Sequence, residues 1–212
     1  MRLYGYWRSS ASWRARIGLN LKGVAWEYVP VNLLADGGQH RSEAHLARNP
    51  MGQVPVLEIE LDGVARRVSQ SLAILELLDE RFPSPPILPG DAWGRARARM
   101  MAEVCNSGIQ PLHNLRVNQR LAELGADPVA WNREVITRGL SALEQLAADQ
   151  PGVFLVGDHP TIADVCLVPQ LYAARRNGVD VAAFPTLLRV EARCGELEAF
   201  RAAHADRQPD AV

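Results

Sequence analysis

The chain has 212 residues, 48% hydrophobic and 22% charged, with a formal net charge of -1. This is the composition of a folded globular protein with one large or two small domains, and the near-zero balance argues against nucleic acid or an anionic membrane as partner. Cys105, Cys166 and Cys194 show no metal-ligand or redox spacing, and no apolar run reaches the roughly 18 residues of a membrane span, so a cytoplasmic protein without a bound metal is expected.

Strand and helix signals alternate over the first eighty or so residues. Arg2 to Tyr6 reads as a strand. Trp13, Ile17 and Leu21 form a helical stripe on a basic, amphipathic segment that stops at Gly23. "WEYVPV" (Trp26 to Val31) is a second strand, and "VPVLEIELDGVARRV" is a hairpin turning at Asp62-Gly63. Leu72, Leu75 and Leu78 begin a helix that ends near Phe82, before the proline-rich "PSPPILPG".

After Ala92 every signal is helical. A long helix is predicted from Trp93 to about Leu121, kinked near Gly108 and Pro111, and another from Pro128 to Asp149. A third opens at Thr161, whose spacing to Asp164 is that of a capping box, and a last one runs from Thr186 to about His204. The expected organisation is therefore residues 1–82, a small mixed α/β sheet domain; 83–92, a linker; and 93–212, an all-helical domain.

Three places stand out for chemistry. "YGYWRSSASWRAR" sets Ser9, Ser10 and Ser12 at a helix start, with no base beside them to make a nucleophile. Hydroxyls there either cap the helix or, with its unpaired N–H groups and positive dipole end, hold an anion that arrives with something else. In "NPMGQVPVL", a cis bond before Pro55 would turn the Val54 backbone toward a peptide laid across the sheet end. In "SQSLAI", Gln70 and Ser71 stand where a strand meets a helix start, a second place for capping or an anion. In the helical half, Gln110, His113, Asn114 and Arg116 fall within seven residues, lining a cleft or a solvated face. Arg175 and Arg176 near a helix end have a purely structural explanation available as well.

Together these stretches resemble the zeta-class glutathione transferases, the maleylacetoacetate and maleylpyruvate isomerase family. The resemblance rests on "SSASWRARIGL", "DGGQHRSEAHLARNPMGQVPVL", "QSLAI", "IQPLHNL", "TIADVCLVPQ" and the closing "RQPDA", and covers nearly the whole chain. It implies a thioredoxin-like domain followed by a helical one, a homodimer, and glutathione as the source of the missing nucleophile. On that reading Ser9 faces the thiolate, with Ser10 beside it. Val54 pairs with the cysteinyl unit, and Gln70 and Ser71 anchor the γ-glutamyl end. His40, Gln110, His113 and Asn114 complete the cofactor contacts. Ala11 departs from the cysteine usual in the family, so no protein thiol is expected at the site.

The implied reaction is cis-to-trans isomerisation of a conjugated dicarboxylate keto acid by reversible thiolate addition. Arg8, Arg176 and Arg116 are the expected partners of its carboxylates and developing charge. Because Arg116 is unusual in the family, the compact acid maleylpyruvate is the first reading, with maleylacetoacetate, or general glutathione conjugation, as the alternative.

Overall fold

The computed structural model describes residues 1–149 and 152–212. The chain forms two compact units, Met1–Pro86 with Glu198–Val212, and Ile87–Leu197.

The first unit is built on a four-stranded sheet of order β2-β1-β3-β4, from β1 (Arg2–Gly5), β2 (Glu27–Pro30), β3 (Val56–Leu61) and β4 (Val64–Ser69). β1 and β2 are parallel, as the crossover through α1 (Ser10–Leu21) requires, whereas β3 runs antiparallel to both β1 and β4. Asp62 and Gly63, at φ 53° and 75°, close the β3–β4 hairpin in the left-handed conformation its tight turn demands. After β4 comes α3 (Ser71–Arg81), and Ala15 and Leu19 of α1 pack with Ile74 and Leu78 of α3 against Leu3, Leu57 and Ile59 of the sheet. The segment between β2 and β3, without a predicted element, holds two 3₁₀ turns and the short helix α2 (Glu43–Leu46).

α1 is not the amphipathic helix its sequence suggests. Every residue from Ser12 to Leu19 is buried, including Arg14 and Arg16. Each guanidinium is accommodated by hydrogen bonds: Arg14 Nη1 donates to Ser71 Oγ at 3.3 Å, and Arg16 donates to the carbonyls of Ala203, Trp7 and Tyr6.

The second unit is helical: α4 (Ala92–Glu103), α5 (Leu115–Glu123), α6 (Pro128–Ala148), α7 (Ile162–Arg176) and α8 (Pro185–Gly195). The long helix predicted from Trp93 is three pieces. α4 widens into a π-helical stretch, Val104–Ile109, tightens to a 3₁₀ turn, Gln110–His113, and restarts at α5 behind the cap residue Asn114. Asp164, fully buried, accepts from the Thr161 amide (2.7 Å), the Thr161 hydroxyl (2.9 Å) and the Leu155 amide (2.8 Å), which completes the capping box of α7.

The predicted final helix is also broken, into α8 and α9 (Glu198–Ala202). The sequence division groups residues 198–212 with the helical domain, but in the structure they pack with the first unit. The reason is a set of polar contacts on either side of α1. Ala199 and Ala203 offer their carbonyls to Asn20 and Arg16, and Asp210 accepts from the Trp7 amide and the Tyr28 hydroxyl.

Candidate active site

Sheet register assembles the first half of the site. Tyr4 of β1 pairs with Val56 of β3, and Val56 pairs with Ser69 of β4. The loop that leaves β1 toward Ser9, the Val54-Pro55 peptide ahead of β3, and Gln70-Ser71 after β4 therefore lie side by side at one end of the sheet. From β1 to β4 is two strand spacings, roughly 10 Å, a distance an extended tripeptide spans.

Each position has the local form an anionic peptide ligand needs. Ser9 is the N-cap of α1: its Oγ accepts from the Ser12 amide at 3.2 Å, so its hydroxyl proton points away from that bond. Ser10 is the first residue of the helix, half-buried. Ser12, by contrast, is structural, fully buried with its Oγ accepting from the Tyr6 amide. The Val54-Pro55 bond is cis, and Val54 precedes the paired register of β3. Two side chains brace this loop from below, His45 Nε2 (3.0 Å) and Asn49 Nδ2 (2.9 Å), both on the Gln53 carbonyl.

Gln70 sits at φ 73°, ψ 116°, a conformation that side-chain-bearing residues rarely adopt and that concentrates at functional sites. Its amide reaches Gln53 Oε1 at 3.4 Å, tying the two loops together. Ser71 is the buried first residue of α3, and its oxygen accepts from Arg14, which leaves the hydroxyl proton to donate. A helix N-terminus, a hydroxyl and a buried guanidinium behind it are groups that favour a negative charge, and Arg14 is one that no local sequence pattern marks. His40 lies in a 3₁₀ turn with Nδ1 buried and without a hydrogen-bond partner; burial first, then Arg41 and His45, hold its imidazole below the usual range, hence neutral at pH 7. Arg8 is half-buried, its guanidinium 5.2 Å from the Trp7 ring centroid.

In the second unit the π stretch and the 3₁₀ turn bring Gln110, His113 and Asn114 together around one bend. Trp131 Nε1 fixes that bend by donating to the Leu112 carbonyl at 2.8 Å. His113 Nε2 lies 3.2 Å from the amide nitrogen of the buried Gln170. Asn114 caps α5 by accepting from the Val117 amide at 2.9 Å. Arg116 is exposed on α5, and Arg176 is the exposed last residue of α7. Its neighbour Arg175 has a structural role, a two-pronged pair with Glu191 at 2.6 and 2.5 Å.

Family models described as "Glutathione S-transferase, N-terminal domain" and "Glutathione S-transferase, C-terminal domain" match residues 3–86 and 118–207. Maleylacetoacetate isomerase of Rattus norvegicus is 47% identical over 208 residues, 98% of this chain and 94% of that protein. Maleylpyruvate isomerase of Ralstonia sp is 44% identical over 218 residues, all of both chains. Among solved structures, maleylacetoacetate isomerase from Anaeromyxobacter dehalogenans with bound glutathione superposes with a TM-score of 0.92 at 55% identity, covering 100% of this chain and 97% of that one. The same protein has been solved with dicarboxyethyl glutathione and citrate in its active site, a TM-score of 0.89 at 52% identity, covering 100% and 93%.

The chain thus has the glutathione transferase fold, a thioredoxin-like domain with a helical one. It belongs to the zeta class, the maleylacetoacetate and maleylpyruvate isomerase family.

Proposed function

We propose that this protein is a glutathione-dependent cis-trans isomerase of a maleyl keto acid. The observation that carries this reading is the sheet end where Ser9, Val54, Gln70 and Ser71 stand in line, with Ser9 in a stretch of sequence without a histidine, cysteine or acid. Such a site suits holding a peptide thiol rather than activating a protein nucleophile. Bound glutathione supplies the thiol that adds reversibly to the conjugated double bond. Gln70 and Ser71, backed by Arg14, hold its γ-glutamyl carboxylate, and the Val54 backbone pairs with the cysteinyl unit. Ser9, with Ser10 beside it, donates to the sulfur, and together with the dipole of α1 this favours the ionised form near neutral pH. His40, Gln110, His113 and Asn114 are the remaining cofactor contacts in this proposal.

Arg8, Arg116 and Arg176 bind the substrate carboxylates and the negative charge that develops on the carbonyl side of the double bond. A conjugating transferase for apolar electrophiles would gain nothing from three arginines. Of the two maleyl acids, maleylacetoacetate is favoured: that name recurs among the relatives, whereas the preference for maleylpyruvate rests on Arg116 alone. We further propose a cytoplasmic homodimer. The buried cysteines, none in a disulfide, support the compartment, and the resemblance to the family supports the dimer.

The test is turnover of maleylacetoacetate and maleylpyruvate with and without glutathione. Turnover of either that requires glutathione is expected, with the higher kcat/KM on maleylacetoacetate; no isomerisation of either would overturn the reading. Arg176→Ala should lower kcat/KM by about 10²-fold, equivalent to roughly 2.7 kcal/mol, with glutathione affinity and Tm little changed. Normal kcat/KM would return Arg176 to a helix-end role. Arg116→Ala should reduce both substrates equally if it only binds a shared carboxylate, and maleylpyruvate more if it selects the shorter acid.

A further inference from the structure

The closing "RQPDA" marks the family without having a role in the chemistry above, and the structure shows where its aspartate goes. Asp210 Oδ2 accepts from the Trp7 amide at 3.1 Å and from the Tyr28 hydroxyl at 3.1 Å. From the other side, Arg16 Nη2 donates to the Trp7 carbonyl at 2.8 Å and Nη1 to the Tyr6 carbonyl at 3.4 Å, while Nε holds the Ala203 carbonyl at 3.1 Å. The Ser9 amide donates to the Tyr6 carbonyl at 3.0 Å and closes the turn. Both backbone polar groups of Trp7 are therefore gripped by side chains, one from α1 and one from the far end of the chain. Trp7 is followed directly by Arg8 and Ser9.

Stability alone is a poor reason for this arrangement. It buries a cation, leaves Oδ1 of the half-buried Asp210 out of contact with water and without a hydrogen-bond partner, and the same is true of Trp7 Nε1. Such groups are costly, and proteins keep them where function constrains the geometry. Burial pushes the Tyr28 hydroxyl well above its ordinary range, so it remains a donor to Asp210 at any physiological pH. Burial likewise lowers Arg16, to about 10, which leaves it a cation.

We propose that Asp210 is a positioning residue: by holding the Trp7 amide while Arg16 holds the Trp7 and Tyr6 carbonyls, it fixes the turn Tyr6–Ser9 and so aims the Ser9 hydroxyl and the Arg8 guanidinium. The proposal rests on the reading that Ser9 faces the cofactor thiol. Gln70 and Ser71, which hold the far end of the tripeptide, lie outside the clamp. Loss of Asp210 should therefore appear in the reacting end of the site and not in cofactor affinity.

Three variants test it: Asp210→Ala, Asp210→Asn, and Tyr28→Phe, which removes one of the two donors but keeps the ring beside Arg16. Amide hydrogen exchange of residues 4–12 in the ligand-free protein reports the turn directly. In Asp210→Ala, exchange at Trp7 and Ser9 should rise by about tenfold or more while β3 and α3 keep their protection. With glutathione bound, the thiol pKa read from thiolate absorbance should rise, and kcat should fall about tenfold or more with KM for glutathione within about twofold. Asp210→Asn still offers one oxygen to both donors and should recover most of the protection and of kcat; Tyr28→Phe should fall between. The proposal is overturned by unchanged exchange at Trp7, by loosening spread evenly over the first unit, or by Asp210→Asn behaving like Asp210→Ala. The exchange measurement uses no ligand. A wild type that turned over no maleyl acid would sink the proposed reaction, and exchange would still decide whether Asp210 sets the turn.

Discussion

In the proposed reaction the oxygen and the proton of Ser9 have separate tasks. The oxygen accepts from the Ser12 amide and caps α1, which leaves the proton for a ligand. Ser9→Ala should therefore lower stability by about 1 kcal/mol, the usual worth of such a cap. It should also lower kcat by on the order of 10²-fold, as loss of a donor to developing charge does. Ser10, inside the helix, carries no cap, and Ser10→Ala should leave the unfolding midpoint in urea nearly unchanged. If Ser9→Ala shifted the midpoint but left both kcat and the bound-thiol pKa alone, Ser9 would be only a cap. The hydroxyls were legible in the sequence because three serines at a helix start are conspicuous. Arg14 and Arg16 were not, because the apolar stripe of α1 implies that its charged residues face water. Only tertiary structure supplies the Ser71 oxygen and the carbonyls that let them be buried.

Among elements, the bend between α4 and α5 shows what periodicity misses. Gly108 and Pro111 announce a disturbance, but a π turn adds one residue per turn and a 3₁₀ turn removes part of one, so the apolar spacing still reads as a single helix. The bend packs on α6 at Gly139, where an added Cβ would lie 2.2 Å from Ile109 Cγ1. Gly139→Ala gains about 1 kcal/mol of helix propensity. Overpacking against a fully buried isoleucine costs more, and the net loss should be about 1–2 kcal/mol by urea unfolding. Ile109→Val in the same chain should return part of it; an Ala variant as stable as wild type would mean the bend can move.

The start of α7 makes a prediction in pH. Burial raises the Asp164 carboxyl from 3.8 to about 6, more than its hydrogen bonds from Leu155 and Thr161 lower it. With the folded pKa above the unfolded one, the folded protein holds a proton that the unfolded chain has released between these values. The contribution of this group is thus complete below about 4 and lost as pH rises to about 6, with a slope of up to about 1.4 kcal/mol per pH unit. Asp164→Asn cannot titrate and loses an acceptor, so it should be less stable at pH 7 by about 2 kcal/mol. Its deficit should widen as pH falls from 6 to 4. A constant deficit over that range would show that Asp164 does not titrate there.

At the level of the whole molecule, the return of Glu198–Val212 to the first unit was not readable in the sequence. Its contacts are hydrogen bonds between residues nearly the whole chain apart, such as Trp7 with Asp210, and no local pattern announces them. A chain of residues 1–86 alone should form the sheet yet show faster amide exchange at Trp7 than the full protein, because the carboxylate that holds this amide is missing. A fragment in which the Trp7 amide exchanged as slowly as in the full protein would show that α9 and Asp210 do not hold the turn.

The order in which the chain is made differs from the order in which it packs. A ribosome completes all the strands of the first unit, then synthesises Ile87–Leu197, and only afterwards reaches Ala203 and Asp210. At roughly 5–20 residues per second that interval is on the order of ten seconds. Throughout it the nascent Arg16 lacks the Ala203 carbonyl and the Trp7 amide lacks its carboxylate, so the turn bearing Arg8 and Ser9 has only its local bonds to Arg16 and within itself. If Asp210 positions the turn as proposed, competence for catalysis is set only by these last residues, and a message truncated before codon 203 would yield a protein with its sheet and its helical unit present and the Trp7 amide unheld.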